Sequence, residues 1–329
     1  MPTLTLAEAG DLVVATLLAA RTSEPNARSV ARALVGAEAD GLKGHGLSRL
    51  PSYAAQARVG KVDGFAHPVA SRPKPAVVAV DAGHGFAYPA LDLALEILPD
   101  VAREMGVAVA PIRRSHHCGA AGHSVERLAE RGLVALLFAN TPSAIAPHGG
   151  SRAVFGTNPI AFACPLPGRE PIVVDLALSK VARGNIIAAR QRGEAIPEGW
   201  AVDKDGRPTT DPDTALAGFM VPLGEAKGAA LALMVELLAA GLTGSAYAAD
   251  ASSFIDPEGP PPGTGQLLLA IDPLALGGPS TLERFAALAT SIEDQAGARL
   301  PGMRRHTARR RASEQGVEVT DALLAEIGL

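Results

Sequence analysis

Two stretches of the chain carry residues able to do chemistry. The first is Gly44-His45-Gly46-Leu47-Ser48-Arg49. Glycines on both sides of His45 leave its ring little local cover. Arg49 falls on the same side if the stretch makes a helical turn. An imidazole near a guanidinium suits a 2-oxo acid, because Arg can clamp the carboxylate through two bonds while His gives or takes the proton on the 2-oxygen. The plainer reading is a surface His beside a solvated Arg. The second stretch runs from Arg113 through Ser115-His116-His117-Cys118-Gly119-Ala120-Ala121 to His123. Small residues there join a strand to a helix, and the backbone N–H groups of such a junction suit an anion, for example a phosphate. A tight turn bearing surface histidines is the alternative.

The elements that must position these residues follow from periodicity. The apolar run Val107 to Ile112 reads as a buried strand, and a helix is expected from Ser124. Thr5-Leu6-Ala7-Glu8 reads as a capping box opening a first helix, and a second follows Ser23 and stops near Gly41. Further strands are expected over Ala76 to Asp81, Leu133 to Ala139, Ile172 to Asp175 and Gln266 to Asp272. Helices are expected over Pro89 to Met105, Val181 to Arg192, Ala229 to Ala240, Ser280 to Glu293 and Thr320 to Ile327. Thr157 and Asn158 place side-chain donors at the mouth of a strand. Lys227 opposes the macrodipole at a helix N-terminus, which is better tolerated beside an anion. Arg299, Arg304 and Arg305, followed by Arg309 to Arg311, form a basic cluster. It reads either as a solvated tail or as a place for the 2′-phosphate of NADP.

Composition narrows the function classes. With 329 residues and 47% of them hydrophobic, the chain can bury a large core and divide into two or three domains. A net charge of -4 and 4% aromatic residues argue against nucleic acid. Two cysteines, Cys118 and Cys164, argue against a disulfide framework and fit a reducing cytoplasm. The first twelve residues lack a basic n-region, and the most apolar run, Ala229 to Leu242, is too short to span a bilayer, so no membrane is expected. Gly-x-Gly-x-x-Gly, a phosphate-binding P-loop and a Gly-x-Ser-x-Gly elbow are all missing. Neither the His116, His117 and His123 spacing nor the Asp203 and Asp205 turn makes a usual metal site, so no metal is expected. A hydrolase using Cys118 as nucleophile and a non-enzymatic binding protein are the competing classes.

Taken together, Gly44-His45-Gly46-Leu47-Ser48-Arg49, Ser115-His116-His117-Cys118-Gly119, Phe155-Gly156-Thr157-Asn158-Pro159, Asp175-Leu176-Ala177-Leu178-Ser179, Lys227-Gly228 and Pro301-Gly302 resemble the type-2 malate/L-lactate dehydrogenase family of NAD(P)-dependent oxidoreductases. The resemblance implies an α/β fold of α+β type: a non-Rossmann, largely antiparallel cofactor sheet and a helical domain built from both chain ends. It divides the chain into residues 1–70 with 275–329 (helical), 71–115 with 220–274 (central) and 116–219 (cofactor sheet). It implies a cytoplasmic homodimer acting on a small anionic substrate. His45 takes the place of the proton donor, Arg49 of the carboxylate clamp, and His117 of a catalytic cleft residue. Thr157 matches a substrate contact. His117, Cys118, Gly119, Ala120, Ala121, Asp175, Leu176, Ala177, Lys227, Arg299, Gly302, Arg304 and Arg305 match cofactor contacts, and the basic ones favour NADP(H) over NAD(H). Stretches such as Lys227 to Gly244 resemble both the sulfolactate dehydrogenases and the Δ1-piperideine-2-carboxylate and Δ1-pyrroline-2-carboxylate reductases. Those imino acid reductases usually carry a Ser and an Asp as a proton relay where this chain has Gly44 and Asn185. This departure tilts the reading toward a 2-oxo acid of the malate, lactate or sulfolactate type. Arg113 and Arg114 are candidates for a second anionic group.

Overall fold

The computed structural model describes residues 2–327, so Met1 of the amino-terminal reading lies outside it. Seven strands form one sheet. They are β1 (Val69–Lys74), β2 (Val77–Asp81), β3 (Val107–Ser115), β4 (Val134–Ala139), β5 (Ile160–Leu166), β6 (Arg169–Leu176) and β7 (Thr264–Ile271). Their order is β1-β2-β3-β7-β4-β5-β6. The β2–β3 pair is parallel and the other neighbours are antiparallel. The parallel pair is joined by a helical crossover, as parallel strands require. The late strand β7 sits between β3 and β4, so a single sheet runs across the expected boundary between central and cofactor segments.

Helices cover this sheet because their apolar residues recur on one face. α4 (Ala87–Met105) and α5 (Ala121–Ala129) bury Leu91, Leu95, Leu98, Val125 and Leu128 against Val78, Val80, Ala110, Ile112 and Leu137 of the strands. A second core lies under α1 (Leu6–Leu18), α2 (Glu24–Ala39) and α3 (Leu50–Val59), and it also takes in Ala312, Val317 and Val319. The two chain ends therefore meet, aided by a two-stranded pairing of Leu4 with Val317. The Thr5–Glu8 capping box forms as expected. α6 (Arg183–Arg192) and α7 (Ala226–Glu236) contribute Ile186, Ala232 and Val235 to a third core, and α7 runs on into a π turn over Leu237–Gly241. α8 (Thr281–Glu293) packs Ala289 against Leu166 of the sheet, so the carboxyl end rejoins the helical core only at α9 (Met303–Gln315). Arg304, Arg305 and Arg309 to Arg311 of the basic cluster lie in this helix.

Among the described residues no helix is long and apolar enough to cross a membrane.

Candidate active site

One edge of the sheet gathers the sequence-predicted segments. Ser115 pairs with Thr264, Ala139 with Gln266, Phe138 with Ile160, and Ile160 with Leu176. The ends of β3, β4 and β6 and the starts of β5 and β7 thus share that edge. His116 to Ala121, Asn140, Thr157 and Asp175 to Ala177 all follow or precede these strand ends. The His116 carbonyl accepts from Gln266 Nε2 at 3.1 Å, and Gly265 N donates to Asn140 Oδ1 at 2.9 Å, which stitches neighbouring loops together.

His45 and Arg49 reach the site from two short 3₁₀ turns, Lys43–His45 and Leu47–Arg49. Buried Glu38 of α2 accepts the Leu47 N–H at 3.0 Å. A Cβ on Gly46 would lie 2.2 Å from that carboxylate and 3.1 Å from the Glu38 Cα, so a side chain there would displace the carboxylate that holds the Leu47 N–H. Gly44 differs: a Cβ there would meet nothing within 4 Å, and the missing serine is a chemical difference rather than a steric one. The Gly44 carbonyl accepts from Arg49 Nε at 2.7 Å and aims the guanidinium.

The His45 ring stacks on His117 with centroids 5.3 Å apart and planes 22° from parallel. His117 Nδ1 lies 2.6 Å from the Tyr53 hydroxyl, which is 3.0 Å from that of Tyr88. His116 points away from this pair and bonds Gln56 Oε1 at 3.0 Å. Phe254 packs on both His116 and His117. Tyr53, Gln56, Tyr88 and Phe254 escaped sequence reasoning, because at helical or loop spacing each resembles an ordinary core residue.

Burial dominates the electrostatics. It pushes His45 down to about 4, helped by the Arg49 charge and then His123. It pushes His116 down to about 3, helped by Lys61 and Arg49, and holds His117 well below the ordinary value. It drives Tyr53 up to about 12. Among the described residues no carboxylate pairs with Arg49. The site is therefore one free guanidinium amid neutral imidazoles and phenols.

Other predicted residues fall elsewhere or take unexpected partners. The helix after the His-rich turn begins at Ala121 rather than Ser124, because Gly122 N is already drawn to the Asp175 carboxylate at 2.8 Å. The anion at this helix N-terminus is thus supplied by the chain itself. Cys118 is buried, and burial followed by the Asp175 charge pushes its thiol up to about 12, which leaves no nucleophilic thiolate at neutral pH. Thr157 Oγ1 faces Thr141 Oγ1 at 3.3 Å, and Thr141 Oγ1 accepts the Thr157 N–H at 2.9 Å. Arg113 and Arg114 both pair with Asp81, at 2.9 and 2.8 Å, so neither is free for a second anionic group. Arg305 turns inward to Glu126 at 2.9 Å, whereas Arg299, Arg304 and Lys227 are exposed. Glu126, Glu170 and His306 bring donor atoms within 4.8 Å of one another, but both oxygens of Glu126 already carry arginine hydrogen bonds.

Two glycines of the site let neighbouring residues of the chain approach closely. Gly119 has φ +68° and backs onto the Tyr88 hydroxyl. Gly302 has φ +89°, and a Cβ there would lie 3.2 Å from the Val173 carbonyl.

Comparison with known proteins places this arrangement. The profile of the malate/L-lactate dehydrogenase family matches residues 4–328. A (2R)-3-sulfolactate dehydrogenase (NADP(+)) of Chromohalobacter salexigens is 53% identical over 326 residues, covering 98% of this chain and 96% of its own. A Δ1-pyrroline-2-carboxylate reductase of Ancylobacter novellus is 42% identical over 327 residues, covering 98% and 96%. The crystal structure of the Δ1-piperideine-2-carboxylate reductase from Pseudomonas syringae superposes with a TM-score of 0.94 at 41% identity, covering 99% of each chain. On this evidence the chain belongs to the malate/L-lactate dehydrogenase family.

Proposed function

We propose that the chain is an NADP(H)-dependent oxidoreductase that interconverts a small 2-oxo acid and its 2-hydroxy acid, with 3-sulfolactate and its relatives malate and lactate as the substrate class. The observation that carries this reading is Arg49. Its positive charge depresses His45, His116 and His117 alike, and it has no carboxylate of its own among the described residues. Arg49 is half-buried, and a guanidinium there with no counter-charge can clamp a substrate carboxylate through two bonds. Pairing also cancels the Arg49 charge that pushes His45 down. His45 then gains proton affinity when substrate is bound and can protonate the C2 oxygen, or accept its proton in the reverse direction. His117, stacked beneath it, lines the same cleft.

The reduced nicotinamide, when bound, supplies the hydride. The turn from His117 to Ala121, the strand end from Asp175 to Ala177, and Gly302 would hold the cofactor. Exposed Arg299, Arg304 and Lys227 would meet its phosphates, which supports NADP(H) over NAD(H). Thr157 would contact the substrate. The exposed apolar residues Leu231, Met234 and Leu237 along α7 and its π turn support a homodimer, and two buried free cysteines suit the cytoplasm.

The test is oxidation of NADPH and of NADH, followed by nicotinamide absorbance, against pyruvate, oxaloacetate, sulfopyruvate and Δ1-piperideine-2-carboxylate. Turnover of a 2-oxo acid with NADPH is expected. Turnover of the cyclic imine alone would replace this reading with that of an imino acid reductase, despite Gly44 and Asn185.

A further inference from the structure

Tyr53, Tyr88 and His117 come from three separate elements, α3, the first turn of α4 and the turn after β3. They nevertheless form an unbroken chain of hydrogen-bonding atoms. Tyr53 is fully buried and Tyr88 nearly so. Each hydroxyl has one proton to give; an arrangement in which Tyr53 accepts from both neighbours leaves its own buried proton without an acceptor, so two arrangements make both bonds and use the Tyr53 proton. In one, Tyr88 donates to Tyr53, and Tyr53 donates to His117 Nδ1. In the other, His117 donates from Nδ1 to Tyr53, and Tyr53 donates to Tyr88. The second arrangement leaves the Tyr88 proton without an acceptor, since Tyr53 is the only hydrogen-bond partner of its hydroxyl among the described residues. The first uses both hydroxyl protons. Gly119 backs against the Tyr88 hydroxyl, where a Cβ would lie at 2.6 Å, and this confines the hydroxyl on that side.

We infer that Tyr53 and Tyr88 are positioning residues that lock His117 as the Nε2–H tautomer, so that it presents a neutral hydrogen-bond donor to the 2-oxygen of the substrate. Which ring nitrogen carries the proton is set by the bond the other one makes. With Nδ1 engaged by Tyr53, the proton sits on Nε2, which has no partner among the described residues. A neutral donor aimed at the oxygen stabilises the negative charge that develops there as hydride reaches C2. His45 remains the group that gives the proton. The electrostatics agree: burial, aided by Arg49, keeps His117 from becoming an imidazolium, and burial keeps the Tyr53 phenol protonated. The catalytic use of this tautomer rests on the 2-oxo acid reading; the tautomer itself does not.

The experiment is long-range ¹H–¹⁵N NMR of the full chain labelled with ¹⁵N-histidine, with the His117 signals assigned from their loss in His117→Asn. The expected pattern is a protonated Nε2 and a bare Nδ1. Tyr53→Phe should release the preference and lower kcat by about 10²-fold. Tyr88→Phe, which keeps the ring and so the packing, should weaken the preference and lower kcat by about ten-fold with NADPH affinity unchanged. A protonated Nδ1 in the wild-type chain would overturn the inference, as would a Tyr88→Phe variant with both tautomer and kcat unaltered. An Nε2–H tautomer in a chain that reduces no 2-oxo acid would uphold the lock and remove its catalytic use.

Discussion

Two buried polar clusters lie close together in this molecule, and they solve the cost of burial in opposite ways. Around Arg49, His116, His117, Tyr53 and Tyr88 are buried and His45 half-buried without a carboxylate, and all are held neutral. Between α2, α5 and α9, Asp40 and Glu126 are just as buried but are met by Arg305, Arg309 and His123 at 2.7 to 3.5 Å. Burial alone would raise Asp40, yet Arg309 and His123 hold it at about 2. Desolvation neutralises a group that has no partner and is overridden where partners are supplied. The charged cluster clamps helices from both ends of the chain. The neutral one keeps its imidazoles available to gain or lose a proton.

The contrast breaks most visibly at His45. His45→Gln should lower kcat for reduction by roughly 10²–10⁴-fold, the usual worth of a positioned acid, while the urea midpoint stays near wild type. Asp40→Asn should do the reverse. It leaves Arg309 short of a buried partner and should cost about 3 kcal/mol or more in urea unfolding, with kcat of the folded fraction little changed. Near-normal turnover in the first variant would remove His45 as proton donor. Wild-type stability in the second would mean the helix clamp is not held by charge.

The same contrast shows what a sequence can disclose. The neutral cluster was legible in outline, because His45, Arg49 and His117 sit in short runs whose glycines and histidines are adjacent. Gly46 there packs against Glu38, whereas a Cβ on Gly44 would meet nothing within 4 Å. The charged cluster was not legible. Arg309 meets Asp40 across 269 positions of sequence and Glu126 across 183, and no local spacing marks such partners. Hence α9 read as a solvated tail or a 2′-phosphate site, and Arg113 and Arg114 as candidates for a second anionic group although Asp81 holds both. Strands β2, β3, β4, β6 and β7 and helices α1, α2, α4, α6 and α8 were found by their periodicity, whereas β1, α3 and α9 were not. The place of β7 between β3 and β4 depends on pairings that no window of sequence contains.

Titration sharpens the comparison by separating the two clusters along pH. The histidine pKa values are lowered on folding, so between the ordinary value of 6.5 and about 4 to 3 the unfolded chain binds more protons than the folded one. Stability contributed by the neutral imidazoles is complete above 6.5 and falls as pH drops through that window. Asp40 is also lowered, from 3.8 to about 2, so its contribution is complete above about 4 and fails only below. Urea unfolding as a function of pH should therefore show two acid losses. His45→Gln should flatten the upper one by up to about 1.4 kcal/mol per pH unit, and Asp40→Asn should flatten the lower one. A single loss confined to the region below pH 4 would contradict the neutral, buried state of the histidines.

The smallest effect is expected at Cys118, which lies between the clusters, following His117 and near Asp175. Burial and the Asp175 charge push its thiol up to about 12, so almost none is thiolate at neutral pH. Thiolate, not thiol, is the species that alkylates. Iodoacetamide applied to the folded chain at neutral pH should leave Cys118 unmodified by peptide mass spectrometry and the rate of NADPH oxidation unchanged. Cys118→Ala should retain activity within about two-fold, since it removes a small apolar contact and no acid or base. Rapid alkylation of Cys118 would show that the turn carrying His117 is open to solvent and charge, and the neutral cluster would then need a different explanation from desolvation.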